Sequence, residues 1–324
     1  MKEMVYLSGS MLARIVSDDL YGDIAGRRLA IATSLSERSQ QQPERQLSNL
    51  WVLNRFRDPE LLSQYKEALG CKNVKAIELR GERVTLHFTA HAQTHVLELD
   101  LRQEELDACE DAKEALRYLA NPNVARNAAI AFAIEAGASR VFVLDGDIFV
   151  PSQTWEQIDR LLASHGPDSL FWMFTIRAWS IEEFFQCFPP DVVGRSVVDT
   201  CGNEFELNSW PPRVTLMGDE GMLGIPPGTG FFDEHLEYGR DPKVAYCEQL
   251  KARGLPLVTP SYPVCHLEHR VSLELDPALA TAEREQRLLE HRMDVRKMAL
   301  SELLGVWRNG TRNAGRREVH EIEL

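Results

Sequence analysis

Residues Val141-Phe-Val-Leu-Asp145-Gly-Asp147-Ile-Phe-Val150 form an apolar run that two carboxylates interrupt. A strand buried on both faces reads as a continuous aliphatic run, and acidic residues at its carboxyl end point into the crevice where α/β proteins bind ligands. Two carboxylates at such a place favour a hard divalent cation, Mg²⁺ or Mn²⁺, which leaves coordination sites for water and substrate phosphate. The stretch therefore predicts an α/β fold with a metal site at Asp145 and Asp147.

The segments on either side of this stretch predict crossover helices. Val124–Ala136 is rich in Ala and Ile on nearly all sides, and Gly137 can end that helix before a strand at 140–144. A further helix, Gln153–Ser164, begins after Pro151. Strands that alternate with helices predict a mainly parallel sheet flanked by helices.

The rest of the chain is assigned from hydrophobic periodicity. The first buried strand is predicted at 28–34, where Thr33 is a candidate nucleotide contact, and two apolar alternations with a turn near Gln93-Thr94 predict a hairpin. The other predicted elements are helices at 46–57, 59–69, 104–120, 244–254 and 277–304 and strands at 74–79, 170–176 and 255–259.

Composition limits the classes of function. The chain has 324 residues and a net charge of −13, which argues against general attraction to nucleic acid. It has no apolar stretch of about 18 residues and no signal-peptide pattern at its start, so we expect a cytoplasmic protein without an integral membrane segment. The six cysteines have no CxxC spacing and are expected to be reduced.

The motif order around Asp145 resembles the central signature of nucleotide-sugar-dependent glycosyltransferases with the GT-A fold. The matching residues are Asn123-Val-Ala-Arg126-Asn127, then Gly137, then the Asp145-Gly146-Asp147 motif. The resemblance implies a GT-A-type, Rossmann-like mixed sheet with a β-hairpin insertion and a C-terminal helical extension. It also implies that Arg126, Asn127, Asp145 and Gly146 lie at the nucleotide, and that Asp145 and Asp147 bind Mn²⁺ or Mg²⁺.

A second block is similar to the acceptor-side segment of the same fold. It runs from Gly230-Phe-Phe-Asp233-Glu234 through Arg240-Asp241-Pro242 to Pro260-Ser-Tyr-Pro-Val-Cys-His266. In members resembling polypeptide N-acetylgalactosaminyltransferases the closing histidine is a metal ligand, which implies that role for His266, with His269 as the fallback. The implied catalytic residue is Asp241, as the base of an inverting reaction or a contact to the acceptor in a retaining one. Asp241 could equally cap a helix that starts at Pro242.

Several other side chains are weaker candidates. His87, His91 and His95 are regularly spaced but are interpreted as surface histidines. Trp179 and Trp210 could stack on a sugar, Asp219 or Glu220 could face the acceptor, and Glu78 could contact the base or ribose.

The resemblance implies a metal-dependent glycosyltransferase that moves a sugar, most often from a UDP-sugar, to a small-molecule, peptide or glycan acceptor. The catalytic domain is predicted at 1–270, with a nucleotide-sugar side at about 28–150 and an acceptor side at about 170–270. A helical extension at 271–324 could close over the acceptor or mediate a homodimer. Three alternatives remain: a sugar nucleotidyltransferase, a phosphatase of the haloacid dehalogenase type, and a non-catalytic nucleotide-sugar-binding protein.

Overall fold

The structure is a computed structural model that describes most of the first 267 residues. The described residues are 7–17, 25–41, 44–91, 93–109, 114–115, 118–119, 122–166, 168–173, 175–178, 180–187, 196–198, 204–206, 216–217, 223–226, 228–234, 242–260 and 262–267. The predicted extension at 271–324, with its helix at 277–304, lies outside them.

Among the described residues, strands and helices alternate over much of the chain. The helices are α1 (Ala25–Ser39), α2 (Pro59–Ala68), α3 (Gln103–Ala108), α4 (Pro122–Glu135), α5 (Ser152–His165), α6 (Ile181–Cys187) and α7 (Pro242–Ala252), with a short 3-10 turn at Glu44–Gln46. The strands are β1 (Ser10–Ser17), β2 (Ser48–Asn54), β3 (Cys71–Leu79), β4 (Glu82–Thr89), β5 (Thr94–Leu99), β6 (Arg140–Asp145), β7 (Ile148–Phe149), β8 (Leu170–Trp172), β9 (Thr175–Ala178), β10 (Ser196–Val198), β11 (Glu204–Glu206), β12 (Leu216–Met217), β13 (Leu223–Ile225), β14 (Leu257–Val258) and β15 (Val264–Leu267).

A nine-stranded sheet with the order β14-β8-β13-β6-β1-β2-β5-β4-β3 forms the centre of the molecule. The strands β6, β1, β2 and β5 are parallel neighbours, and of the nine strands only β4 and β13 run against the common direction. The carboxyl ends of β6, β1, β2, β5 and β3 therefore lie at one edge. This mixed, mainly parallel sheet flanked by helices confirms the predicted fold class.

Helices cover both faces of the large sheet. On one face, α4 and α7 contribute residues such as Ala129 and Leu250 to the buried cluster that contains Val143 of β6. On the other face, α1, α2 and α5 cover residues such as Trp51 and Phe142. The result is a three-layer arrangement of helix, sheet and helix.

A smaller sheet adjoins the large one. Its order is β12-β9-β15-β7, and β7 follows β6 after only two intervening residues, Gly146 and Asp147. The predicted strand at 170–176 is in fact two strands, because β8 belongs to the large sheet and β9 to the small one. The junction between β6 and β7 therefore joins the two sheets.

The helix before β6 forms as predicted. Pro122 occupies its first position, where the missing N–H costs nothing, and Gly137 follows it with a φ of 71°. Ten of the 14 residues of α4 are buried, as expected for a crossover helix. The remaining predictions at 59–69, 74–79, 140–144, 153–164, 244–254 and 255–259 are confirmed within a few residues.

The predictions for the amino-terminal unit were wrong. Residues 28–34 lie in α1, because Leu29, Ala32 and Leu35 recur at the helical spacing of three and pack into one cluster. Residues 46–57 contain β2 rather than a helix, and Leu50 to Leu53 are fully buried in it. The first strand is β1, which the sequence reading missed.

The predicted hairpin is confirmed, and a second one precedes it. β4 pairs antiparallel with β5, and Val84 and Leu86 lie on the same buried face as Leu97 and Leu99. β3 pairs antiparallel with β4 through a turn at Arg80-Gly81. The helix predicted at 104–120 is interrupted: α3 ends at Ala108 and Cys109 is extended, while the described residues 114–115 and 118–119 are helical again.

No helix among the described residues is both long enough and apolar enough to cross a lipid bilayer.

Candidate functional site

Asp145 and Asp147 lie where the two sheets meet, at the carboxyl edge of the large sheet. Asp145 is the last residue of β6 and pairs in register with Ile15 of β1, and Asp147 immediately precedes β7. The predicted position of both carboxylates is therefore confirmed.

Gly146 is fixed by its close approach to β1. Its N–H donates to the carbonyl oxygen of Ile15 at 2.7 Å. A Cβ at this position would lie 2.5 Å from Cγ2 of Val16 and 3.1 Å from the oxygen of Ile15. Only glycine fits without displacing β1, so packing alone accounts for this residue, and its contact with a nucleotide stays a prediction.

Asp147 and His266 are direct neighbours although they are far apart in sequence. His266 pairs with Ile148 across β15 and β7, and the N–H of Leu267 donates to the carbonyl oxygen of Asp147 at 3.0 Å. These backbone contacts bring Nε2 of His266 within 3.2 Å of Oδ2 of Asp147, with side chains 15% and 11% exposed. The predicted association of His266 with the aspartate motif is therefore present in the fold.

Asp145 is paired with an arginine. Nη2 of Arg126 lies 3.1 Å from Oδ1 of Asp145, and Nη1 of Arg126 donates to Oδ1 of Asn123 at 3.0 Å. Arg126 is buried in the first turns of α4, whereas the Asp145 carboxylate is 32% exposed. In this arrangement Arg126 orients Asp145, a role that the sequence did not indicate.

Asn127 holds a backbone segment beside the site. Its amide nitrogen donates to the carbonyl oxygen of Phe232 at 2.9 Å and to Oε1 of Glu234 at 2.5 Å. Its amide oxygen accepts from the N–H of Phe232 at 2.8 Å. Both amide hydrogens are thus used within the protein. Asn127 positions the segment Phe231–Glu234, and its predicted contact with the nucleotide stays a prediction.

The residues at the junction fit a divalent metal with two protein ligands. A carboxylate oxygen and an imidazole nitrogen face each other at Asp147 and His266, and both groups are ligands for Mn²⁺. Among the described residues, no group of three or more His, Cys, Asp or Glu side chains is arranged to hold a metal ion. Asp145 pairs with Arg126 and is not grouped with Asp147 and His266 as the resemblance implied, so its role as a metal ligand stays a prediction. A metal here would therefore take its remaining ligands from water and a substrate diphosphate, as Mg²⁺ commonly does.

Cys265 is adjacent to this pair but is not a candidate ligand. It is fully buried in β15, and burial raises the pKa of its thiol, with the nearby Glu183 and Asp147 adding to the shift. A protonated thiol is a poor ligand, since metals bind the thiolate. Cys71, Cys109 and Cys265, the cysteines that the structure describes in this respect, form no disulfide.

Thr33 does not follow a strand. It lies within α1, where its hydroxyl donates to the carbonyl oxygen of Leu29 at 2.8 Å. The strand predicted around Thr33 was wrong, and the residues between β1 and α1, 18–24, lie outside the described part of the chain. The sequence of these residues contains one glycine, Gly22, and does not match the Gly-rich phosphate-binding motif expected of a nucleotidyltransferase.

The proposed catalytic residue Asp241 lies outside the described residues. The same is true of Trp179, Trp210, Asp219, Glu220 and His269. Glu78 lies near the end of β3.

The three spaced histidines are not a metal site. His87 is buried, not at the surface as predicted, and its Nε2 lies 2.7 Å from Oε2 of Glu98. His91 is exposed, and His95 packs against the ring of Phe88.

Sequence reasoning missed Arg14, a buried residue that bonds to β7 next to the junction. Arg14, in the middle of β1, donates to the carbonyl oxygen of Ile148 at 2.5 Å and pairs with Glu44 at 3.2 Å. Nε1 of Trp155 also donates to Glu44, at 3.4 Å. A charged residue within an apolar run was the available signal, because a buried arginine requires a partner.

No family model matches the chain, and no curated protein matches its sequence. Among solved structures, the chain is similar to a protein described as a nucleotide-diphospho-sugar transferase from Desulfovibrio desulfuricans G20. The identity is 10%, the match covers 88% of this chain and 98% of the other, and the TM-score is 0.35. The UTP-bound UGPase of Acinetobacter baumannii matches at 10% identity over 87% and 98% of the two chains, with a TM-score of 0.34. A UDP-glucose pyrophosphorylase complexed with UDP-glucose matches at 7% identity over 80% and 90%, with a TM-score of 0.28. Because these identities and TM-scores are low, the chemistry of the site is inferred from the residues of this chain alone.

Proposed function

We propose that this chain is a metal-dependent glycosyltransferase that uses a nucleoside-diphosphate sugar, with a UDP-sugar as the first donor to test. The observation that carries the proposal is the close approach of Asp147 and His266, at 3.2 Å, beside a half-buried Asp145 at the carboxyl edge of a mainly parallel sheet. Ligands of open α/β sheets bind at that edge.

Asp147 and His266 would hold Mn²⁺ or Mg²⁺, which spreads the negative charge of a leaving diphosphate. Two protein ligands leave most of the coordination shell for phosphate oxygens. The proposal thus gives a role to a carboxylate and an imidazole that are mostly buried here, at 11% and 15% exposure.

Asp145 would bind the donor at its ribose. Arg126 holds one carboxylate oxygen at 3.1 Å, and the exposed part of the carboxylate can accept a hydrogen bond from a hydroxyl group. Arg126 would therefore orient the Asp145 carboxylate that accepts the hydrogen bond from the ribose, without contacting the ribose itself.

The segment Phe231–Glu234 would form the acceptor side of the site. Asn127 attaches it to α4 next to Arg126, so that the donor-side Asp145 and the acceptor-side segment are both bonded to residues of the same helix. The acceptor is proposed to be a hydroxyl-bearing small molecule, peptide or glycan, with Asp241 as the group that contacts its hydroxyl.

Product analysis tests this proposal. Purified protein is incubated with UDP- and GDP-sugars, Mn²⁺ and panels of acceptors, and release of the nucleoside diphosphate is measured. We expect release from one donor, its loss in Asp147→Ala, and wild-type activity in Glu135→Ala, an exposed carboxylate at the far end of α4. Release of pyrophosphate from UTP and a sugar 1-phosphate, without glycosyl transfer, would identify a nucleotidyltransferase and overturn the proposal.

A further inference from the structure

The turn between β3 and β4 carries an arginine in an unfavourable backbone conformation. Leu79 pairs with Glu82, so the loop is the two residues Arg80 and Gly81, and their φ angles are 54° and 82°. Positive φ at both positions is the type I′ turn, for which Asn-Gly is the preferred sequence. An L-residue with a long side chain is strained in this region, whereas asparagine tolerates it.

This turn lies at the same edge of the sheet as the candidate site. β3 runs in the common direction, so its carboxyl end lies at the edge where β6 ends at Asp145. The hairpin tip therefore faces the region that α4 and the segment Phe231–Glu234 occupy.

Arg80 uses its position to contact that segment at two points. Its guanidinium carbon lies 3.7 Å from the centre of the Phe231 ring, and Nη2 lies 3.7 Å from Oε1 of Glu234. The same Oε1 accepts from Asn127 at 2.5 Å. Arg80 and Glu234 side chains are 38% and 32% exposed, so the pair lies at the surface of the site rather than in the core.

The segment is thus held from two sides. Phe232, between the two residues that Arg80 contacts, is bonded to Asn127 through its backbone and stacks on Tyr246 at 4.2 Å. Without Arg80, the Phe232 attachment, the bond from Asn127 to Glu234 and the bond from Asn123 to the carbonyl oxygen of Asp233 would remain. The Phe231 ring would lose its contact with the guanidinium, and Glu234 would lose its ion pair.

We propose that Arg80 is a positioning residue of the site: it fixes Phe231 and Glu234 on the acceptor side, and the strained turn is retained because this side chain is needed there. The inference rests on the proposed function for its catalytic meaning, whereas the contact itself does not.

The substitution Arg80→Asn separates this role from an ordinary structural one. It creates the preferred Asn-Gly turn and removes the guanidinium, so we expect Tm to rise by about 1–2 °C. We expect amide hydrogen exchange in residues 231–234 to become about 5–10-fold faster, because two contacts of the segment are lost. Turnover of the donor identified for the wild type should fall, and Arg80→Lys, which keeps the charge, should recover part of it. Arg83→Asn, an exposed arginine in the same hairpin, is the control and should change none of these quantities.

Unchanged exchange in residues 231–234 would overturn the inference. A lower Tm together with faster exchange would also overturn it, since Arg80 would then be an ordinary stabilising contact. If the wild type turns over no nucleotide sugar but Arg80→Asn shows a higher Tm and faster exchange, the proposed function fails and the positioning of the segment by Arg80 stands.

Discussion

At the scale of single residues, Gly146 shows how the backbone shapes this site. It separates the two carboxylates and lets the chain pass from one sheet to the other against β1, with its N–H 2.7 Å from the oxygen of Ile15. The close approach explains why the motif needs a glycine there, and this explanation is independent of any ligand.

The first residue-scale prediction is that Gly146→Ala destabilises the fold. The added Cβ would lie 2.5 Å from Val16, and forced repacking of this kind costs about 1–3 kcal/mol. Urea denaturation of wild type and variant measures the difference. Gly26→Ala, which meets no atom within 4 Å at an exposed position of α1, should instead stabilise by about 0.5 kcal/mol. Equal stability of Gly146→Ala and wild type would contradict the close packing.

The sequence indicated the candidate site residues but not all of the side chains that they contact. Asp145, Asp147 and His266 were predicted as site residues because acidic residues after an apolar run, and a histidine in a motif that resembles a known one, can be recognised in the sequence. The association of His266 with the motif followed from the resemblance, whereas the pairing of Arg126 with Asp145 was not visible in the sequence because it depends on the path of the chain. The contact of Arg80 with Phe231 could not be predicted from the sequence for the same reason.

Among the secondary-structure elements, the predictions succeeded where one pattern of hydrophobic residues dominated the segment. The buried helix α4, the strand β6 and the β4–β5 hairpin each carry a clear signal, either apolar on all sides or alternating. They failed where the signal was mixed. β1 has an arginine at its centre, and residues 28–34 carry branched apolar residues typical of a strand although they pack as a helix.

The buried pair of Arg14 and Glu44 gives a prediction for the elements, because it links β1 to the 3-10 turn, while Arg14 also bonds to Ile148 of β7. The side chains are only 2% and 8% exposed, so Arg14→Met leaves a buried carboxylate without its cation and should cost about 3–5 kcal/mol. In the double variant Arg14→Met/Glu44→Gln the uncompensated charge is removed, and we expect recovery of roughly half of that loss. Chemical denaturation of the two single variants and the double variant measures the coupling. Strictly additive losses would show that the pair does not act as a unit.

At the scale of the whole molecule, acid sensitivity follows from two groups on the β4–β5 hairpin. His95 packs between the rings of Phe88 and Phe132, and burial lowers its pKa from the usual 6.5. The unfolded chain then binds a proton that the folded protein does not, so stability is lost as the pH falls below 6.5. Thermal unfolding should show this loss in the wild type and a smaller one in His95→Phe. An identical pH dependence of the two proteins would exclude His95 as the cause.

Glu98 adds a second loss at lower pH. Burial opposes its ionisation, but hydrogen bonds from His87 and Lys66 outweigh burial and lower the pKa of Glu98 below the usual 4.5. The stability that this ionised carboxylate contributes is fully present above pH 4.5 and is lost as the pH falls towards its folded-state pKa. In Tm measurements, Glu98→Gln should be less stable than the wild type at neutral pH and should show a flatter decline below pH 4.5. A decline as steep as that of the wild type would assign the loss to other groups.

We propose that Asp147 and His266 form one metal-dependent nucleotide site. Calorimetric titration with UDP and GDP, with and without Mn²⁺, measures whether the metal and the nucleotide bind together there. We predict that Mn²⁺ strengthens binding of one nucleotide by about tenfold or more in the wild type. The gain should disappear in both Asp147→Ala and His266→Ala and persist in His165→Ala, an exposed histidine at the end of α5. Nucleotide binding that is absent under both conditions, or that is equally strong without metal and in both site variants, would contradict the account.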